Sequence, residues 1–278
     1  LKSMEQTFII RPDKSKSLFE IEEIVRQNKT LILSDESKKR VIDCRSFLEK
    51  EILAKKIRVY GINTGFGSLC DKIISENKLE DLQLNLVRSH ACGSGDIMPA
   101  GISQRMLLHK IISLSYGRSG VTLELLELML SMYNHKVFPV VYELGSLGAS
   151  GDLAPLAHLA LPLIGEGKVY YKGNIKESSE VFKELGWETH KLVAKEGLAI
   201  LNGTQFMSAI ASFIVYEGFE LYKWANHVSA VSIEAFNAKL EPFHPLIHQL
   251  RNQNGQINCA KEILTILDGS ENVKRKKN

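Results

Sequence analysis

Gly145-Ser146-Leu147-Gly148-Ala149-Ser150-Gly151-Asp152-Leu153-Ala154-Pro155-Leu156-Ala157-His158-Leu159 is the most unusual stretch of the chain, a run of small residues that gives way abruptly to a helical pattern. It has an ordinary account, a glycine-rich loop in which Ser150 or Asp152 caps a helix carrying Pro155 in its first turn. A cap does not need Ala149-Ser150-Gly151 in that order. The Gly151 amide nitrogen, with no side chain on its own α-carbon, can attack the Ala149 carbonyl if the loop is compressed into a tight turn. Loss of water closes an imidazolone. Elimination of the Ser150 hydroxyl then leaves an exocyclic methylidene, an electrophile that no ordinary side chain offers. A helix N-terminus directly behind it favours negative charge developing on the ring as a nucleophile adds.

Around this stretch the sequence reads as mostly helical. Thr7 to Ile10 is short, β-branched and aromatic, and predicts an edge strand before Pro12. Val41, Ile42, Phe47, Leu48, Ile52 and Leu53 recur near a 3.6-residue period between Asp35 and Lys55, and similar patterns cover Leu79 to Val87, Ser103 to Leu114 and Thr122 to Tyr133. Ser34, Ser103 and Thr122 are candidate caps. Gly165-Glu166-Gly167-Lys168, Val169-Tyr170-Tyr171 and Gly173-Asn174 predict a small hairpin. Its glycine spacing, and the absence of Ser or Thr directly after Lys168, exclude a nucleotide-binding loop. From Gly203 the residues Met207, Ile210, Ala211, Ile214, Val215, Phe219, Leu221, Tyr222 and Ala225 predict a long helix buried on most sides. The expected fold is mainly α. A loop-rich N-terminal half with short strands and helices, residues 1–200, bears the Ala-Ser-Gly loop, and residues 201–278 begin a long-helix bundle.

Composition narrows the function. With 278 residues, 44% of them hydrophobic and 24% charged, the chain can bury a substantial core, which excludes a disordered polypeptide. No apolar run approaches the ~20 residues of a membrane helix, and Leu1-Lys2-Ser3-Met4 has no signal-peptide character. A soluble, cytoplasmic protein without membrane association is expected. Net charge is +3, and the densest basic cluster, Lys274, Arg275, Lys276 and Lys277, sits at the very end, which argues against nucleic-acid binding. Cys44, Cys70, Cys92 and Cys259 show no paired short spacing, and His244 and His248 lack the glutamate of a metalloprotease helix, so no metal is expected.

Three further segments accompany the loop: Tyr60-Gly61-Ile62-Asn63-Thr64-Gly65-Phe66-Gly67, Asn85-Leu86-Val87-Arg88-Ser89-His90-Ala91-Cys92-Gly93 and Leu201-Asn202-Gly203-Thr204-Gln205. Together the four resemble the signature of the aromatic amino acid ammonia-lyases, and among these the histidine ammonia-lyase branch. The resemblance covers essentially the whole chain, with the motifs in family order. It implies that Ala149, Ser150 and Gly151 form a methylidene-imidazolone prosthetic group autocatalytically, with no external cofactor, and that the reaction eliminates ammonia from L-histidine to give trans-urocanate.

The same resemblance assigns site residues. Tyr60 corresponds to the base that removes the β-proton; since a free tyrosine has a pKa of ~10, its surroundings must make phenolate accessible. As a strand-end aromatic beside glycine turns, Tyr60 has an ordinary reading as well. Asn202 corresponds to an asparagine near the prosthetic group and substrate, and as a cap before Gly203 it is equally ordinary. Ser89-His90 resembles the histidine-specific pair, where an imidazole can exchange hydrogen bonds with the substrate ring. Relatives acting on tyrosine or phenylalanine commonly carry histidine or phenylalanine followed by leucine there.

The family pattern extends beyond Asn278 to a motif with Gln, Tyr and Arg and to later Phe and Glu positions, and Leu1 stands where a methionine would begin a chain. The expectation is therefore an N-terminal portion, with Met4 a candidate start, of a homotetramer whose sites draw on several subunits. The alternatives are a tyrosine or phenylalanine ammonia-lyase, an aminomutase using the same prosthetic group, or a catalytically silent fragment.

Overall fold

Ser17 and Glu20 close a reciprocal capping box, the Glu20 N–H donating to Ser17 Oγ (3.2 Å) and the Ser17 N–H to Glu20 Oε2 (2.8 Å). The chain thereby turns from β1 (Thr7–Ile10) into α1 (Leu18–Arg26) and returns as β2 (Thr30–Leu33), parallel to β1 with Thr7 opposite Thr30. The computed structural model describes residues 6–13, 15–65, 74, 78–147 and 150–274. Ser34 caps α2 (Asp35–Phe47), as its sequence predicts, and that helix widens into a π-helical turn over Leu48–Leu53. Next come α3 (Leu79–His90), β3 (Ser94–Ile97) and α4 (Ala100–Ser115). Ser103 is not a cap. Pro99 occupies the N-cap position of α4 and its carbonyl already accepts the N–H of Ile102 at 2.9 Å, so the helix begins a turn earlier and Ser103 is buried inside it.

Thr122 does cap α5 (Leu123–Asn134), its Oγ1 accepting the Leu125 N–H at 3.2 Å. β4 (Phe138–Pro139) and β5 (Tyr142–Leu144) lead to the small-residue loop and α6 (Leu153–Ala160). The predicted hairpin is present: β6 (Lys168–Tyr171) and β7 (Asn174–Glu177) pair antiparallel, with β4 on the other side of β6. Its two-residue turn places both Lys172 and Gly173 at positive φ, which matches the twist of the flanking strands. After α7 (Ser178–Leu185) and α8 (Glu196–Leu201), α9 (Gln205–Ala235) is the longest element, and α10 (Pro245–Arg251), α11 (Asn254–Ile266) and α12 (Glu271–Lys274) follow.

The chain divides into two compact units, one ending at Phe213 and one starting at Ile214. In the first, α4 supplies the fully buried Met106, Leu107, Leu108 and Ile111, joined by Leu125, Leu126 and Met129 of α5 and Leu156, Leu159 and Ala160 of α6. Each such side chain contributes about 1.5–3 kcal/mol of burial. Helices α3, α6 and α8 pack on one another. Gly197 allows the α3–α8 approach, since a Cβ there would lie 2.9 Å from the Gln83 carbonyl oxygen. The second unit has a small core of Ala230, Ile263 and Leu267. The expectation that α9 is buried on most sides is not met: Phe206 and Ala209 are buried, whereas Ile214, Leu221, Trp224 and Val231 are exposed. Apolar composition makes burial favourable but supplies no neighbour to bury against.

Two buried carboxylates are paired within the first unit. Arg105 reaches both oxygens of Glu22, at 2.7 and 2.5 Å. Glu196, fully buried, accepts from the Thr122 N–H (2.9 Å) and Oγ1 (2.8 Å), the Val193 N–H (3.0 Å) and the His190 ring (2.8 Å). Burial pushes its carboxyl upward, but the His190 ring and the two amides outweigh this and hold its pKa below the ordinary glutamate value. A depressed carboxyl contributes stability above its unfolded-state pKa and loses it as pH falls through the folded one. Glu196→Ala should therefore cost about 3–5 kcal/mol near neutrality. In urea denaturation at a series of pH values, its deficit against wild type should shrink on the acid side of the carboxylate range.

Candidate active site

Gly151 and Gly203 meet backbone to backbone as an isolated parallel bridge, and the Asp152 N–H donates to the Gly203 carbonyl at 2.7 Å. Only glycine fits this contact. Gly151 has φ +93°, and a Cβ on it would lie 2.1 Å from the Gly203 oxygen; Gly203 has φ +147°, and a Cβ there would lie 2.2 Å from Gln205 Oε1. Gly151-Asp152 and the Leu201-to-Gln205 segment, about fifty residues apart, thus meet directly. Ser150 is exposed beside the bridge, immediately before α6; Ala149 lies outside the described residues.

Asp152 occupies the N-cap position of α6 but makes no side-chain bond to that helix, contrary to the capping expectation. Its carboxylate is turned to α9 instead. Oδ2 accepts the N–H groups of Phe206 and Met207, both at 3.0 Å, and Oδ1 accepts from Ser146 Oγ at 2.8 Å. A carboxylate here meets both the unpaired amides and the positive end of α9. Lys110, from the middle of α4, approaches from the core: Nζ donates to the Asn202 carbonyl at 3.0 Å and to Gln205 Oε1 at 3.3 Å, while the residue is only 1% exposed. Burial lowers its pKa to about 7, with the Asp152 charge acting in the opposite direction.

Asn202 is the C-terminal cap of α8, not an N-cap of the next helix, and its exposed side-chain amide donates to the Leu198 carbonyl at 3.1 Å. Ser89 and His90 end α3. Ser89 Oγ donates to the Leu86 carbonyl at 3.1 Å, and His90 Nδ1 lies 2.8 Å from the same carbonyl. A carbonyl only accepts, so Nδ1 carries the proton and Nε2 is the acceptor in the neutral ring. The chain beyond His90 returns to the small-residue loop: Ser94 pairs with Leu144, and a Cβ on Gly145 would lie 3.2 Å from the Gly93 α-carbon. His158 of α6 fixes this approach by accepting the Gly93 N–H on Nε2 at 3.0 Å. Burial lowers the His158 pKa, which favours the neutral ring that this bond requires.

Three of the four motifs are therefore joined by direct contacts. Tyr60 is 58% exposed on its own turn. The Val59 N–H donates to Asn63 Oδ1 (2.9 Å), Asn63 Nδ2 to the Ile57 carbonyl (2.8 Å) and the Gly61 N–H to Thr64 Oγ1 (3.2 Å). Phe66 and Gly67 of this motif lie outside the described residues. Sequence reasoning missed Lys110 and His158. The signal for Lys110 was a charge inside the apolar run from Met106 to Ile112; His158 carried none. Among the described residues no cluster of His, Cys, Asp and Glu forms a metal site, and no helix is long and apolar enough to cross a membrane.

Residues 17–278 match the aromatic amino acid lyase family, and the chain belongs to that family. It is 41% identical over 268 residues to histidine ammonia-lyase of Legionella pneumophila, an alignment covering 96% of this chain and 53% of that protein. Among solved structures it is similar to histidine ammonia-lyase from Trypanosoma cruzi, with 36% identity and a TM-score of 0.84 over 92% of this chain and 50% of that one. It is also similar to phenylalanine aminomutase of Pantoea agglomerans, with 30% identity and a TM-score of 0.88 over 96% of this chain and 51% of that one. The chain spans about half the length of the curated relatives it matches.

Replacing Gly151 by alanine should separate the two backbones, because both the conformation and the 2.1 Å approach forbid a Cβ. The expected loss exceeds about 2 kcal/mol. Hydrogen exchange reads the local effect: the Asp152 amide should lose protection more than amides in the core of α4.

Proposed function

We propose that the protein eliminates ammonia from L-histidine to give trans-urocanate, as a carbon–nitrogen lyase, through a methylidene-imidazolone formed from Ala149, Ser150 and Gly151. The observation that carries this reading is the glycine-only cradle at Gly151, in which the Gly203 carbonyl takes the Asp152 N–H and leaves the Gly151 nitrogen out of that bond. A side-chain-free nitrogen in a tightly held turn is what ring closure requires. The residues present thus fit the group. When formed, it supplies an electrophile for the substrate, which helps a poor leaving group depart and acidifies the neighbouring proton.

The chain's own residues would serve that chemistry as follows. The start of α6 behind Ser150 favours developing negative charge. Asp152 does not cancel that field freely, because its carboxylate is engaged by the α9 amides and Ser146. Tyr60 would take the β-proton, and its exposure keeps the hydroxyl reachable. The Asn202 amide would orient a substrate oxygen, and the Ser89-His90 end of α3 would meet the substrate imidazole. A homotetramer in the cytoplasm, without nucleic-acid or membrane partners, completes the reading, as do the family's downstream Tyr, Arg and Glu positions.

Histidine as substrate rests on the 41% identity to a histidine ammonia-lyase together with Ser89-His90. The similarity to a phenylalanine aminomutase supports a second reading, in which the same site returns a β-amino acid. Incubating the protein that carries these residues with histidine, tyrosine and phenylalanine separates the two: urocanate from histidine is expected, and a β-amino acid product would overturn the elimination reading. Ser150→Ala should abolish turnover with little change in thermal stability, since Ser150 is exposed and Asp152, not Ser150, occupies the N-cap position of α6. Tyr60→Phe should lower turnover at least about a hundredfold, the scale of general-base catalysis, with thermal stability unchanged. Substantial turnover in Tyr60→Phe would send the search for the base elsewhere.

A further inference from the structure

Lys110 is a buried cation that touches the Asn202-to-Gln205 segment, and its place beside the buried Met106, Leu107, Leu108 and Ile111 of α4 calls for an explanation. The residue is almost fully buried, and its Nζ reaches two acceptors, the Asn202 carbonyl at 3.0 Å and Gln205 Oε1 at 3.3 Å. These two flank Gly203. The same Gly203 bridges Gly151 and accepts the Asp152 N–H, and Gln205 Oε1 lies where any Cβ on Gly203 would go. Burying an ammonium is costly unless it is paired or hydrogen-bonded, and an isosteric apolar residue would fill the same volume without that cost. The lysine is therefore explained by what it holds. It holds the carbonyl before Gly203 and the Gln205 side chain after it, while Asp152 fixes the following helix through the Phe206 and Met207 amides.

We propose that Lys110 is a positioning residue for formation of the prosthetic group: by clamping Asn202 and Gln205 it sets where Gly203 grips Gly151 and Asp152, and so compresses the turn in which Gly151 attacks. This inference rests on the proposed methylidene-imidazolone reading. Ring closure forms a bond from the Gly151 nitrogen to the Ala149 carbonyl carbon. That oxygen leaves as water with the Gly151 and Ser150 amide protons, and a carbon–nitrogen double bond remains to Ser150 N. The second water takes the Ser150 hydroxyl and its α-hydrogen, leaving a carbon–carbon double bond. Lys110 exchanges no atom in either step. Its contribution is geometric, as the Asp152 charge that opposes its desolvation is also geometrically fixed.

The test follows the mass of the peptide containing residues 149–151 in full-length protein freshly made by cell-free translation, for wild type, Lys110→Met, Lys110→Arg and Gln205→Met, with Ser150→Ala as the blank. Lys110→Met keeps stem and volume but no donor. Its loss of two waters should be slowed at least roughly tenfold relative to wild type, the factor that a lost hydrogen bond would produce in a barrier. Lys110→Arg, which keeps a donor, should recover part of the rate. Gln205→Met removes one acceptor and should slow the process as well; it decides the matter if Lys110→Met does not fold, as judged by circular dichroism. Wild-type dehydration rates in a folded Lys110→Met, or in Gln205→Met where that variant decides, would overturn the role of Lys110 alone. A wild-type peptide that never loses water would overturn the prosthetic-group reading itself.

Discussion

Two glycines without room for a side chain hold this site together. At the Gly151–Gly203 bridge the carbonyl of one segment sits where any Cβ of the other would be, and the neighbouring Asp152 amide closes the contact. A backbone approach this close is possible only because Gly151 has no side chain, and both glycines use φ values that other residues avoid. Ser150 lies exposed beside it, α6 begins two residues after Gly151 and α9 two residues after Gly203.

Such a contact has to be held from outside, and the fold does so with two buried groups of opposite charge. Asp152 secures the first amides of α9, and Lys110 secures the carbonyl before Gly203 and the side chain after it. Behind them lies an apolar layer of α4, α5 and α6 whose residues are fully buried. Lys110 projects from the same helix that supplies Met106, Leu107, Leu108 and Ile111, so its position is set by core packing and its head by hydrogen bonds. On the opposite side, His158 ties α6 to Gly93 and so brings the end of α3 to the same loop. Rigid elements thus present what the proposed chemistry needs: a glycine nitrogen held in place, a helix start and an imidazole-bearing helix end.

Much of this was legible in the sequence where short-range rules govern. Ser34 and Thr122 cap the helices they precede, and the expected hairpin forms, with its turn at Lys172-Gly173, one residue before the predicted Gly173-Asn174. Long-range choices were not legible. Asp152 reads as a cap for the helix directly after it, and serves one that begins more than fifty residues later, because the bridge to Gly203 brings the α9 amides within 3.0 Å. Ser103 reads as a cap, but Pro99 starts the helix first. The apolar run of α9 shows what a helix could bury, whereas its exposed Leu221 and Trp224 show that pattern alone does not supply a neighbour. Lys110 stood in plain view in an apolar run, and its meaning came from three residues distant in sequence.

The proposed prosthetic group requires that the backbone clamp between Gly151 and Gly203 hold a turn able to cyclise into an electrophile. It is tested most directly by peptide mapping of the mature wild-type protein at accurate mass. The segment containing Ala149, Ser150 and Gly151 should be lighter than its sequence by two waters, with fragmentation placing the whole loss within those three residues. A folded, purified protein whose segment carries its full sequence mass would contradict it.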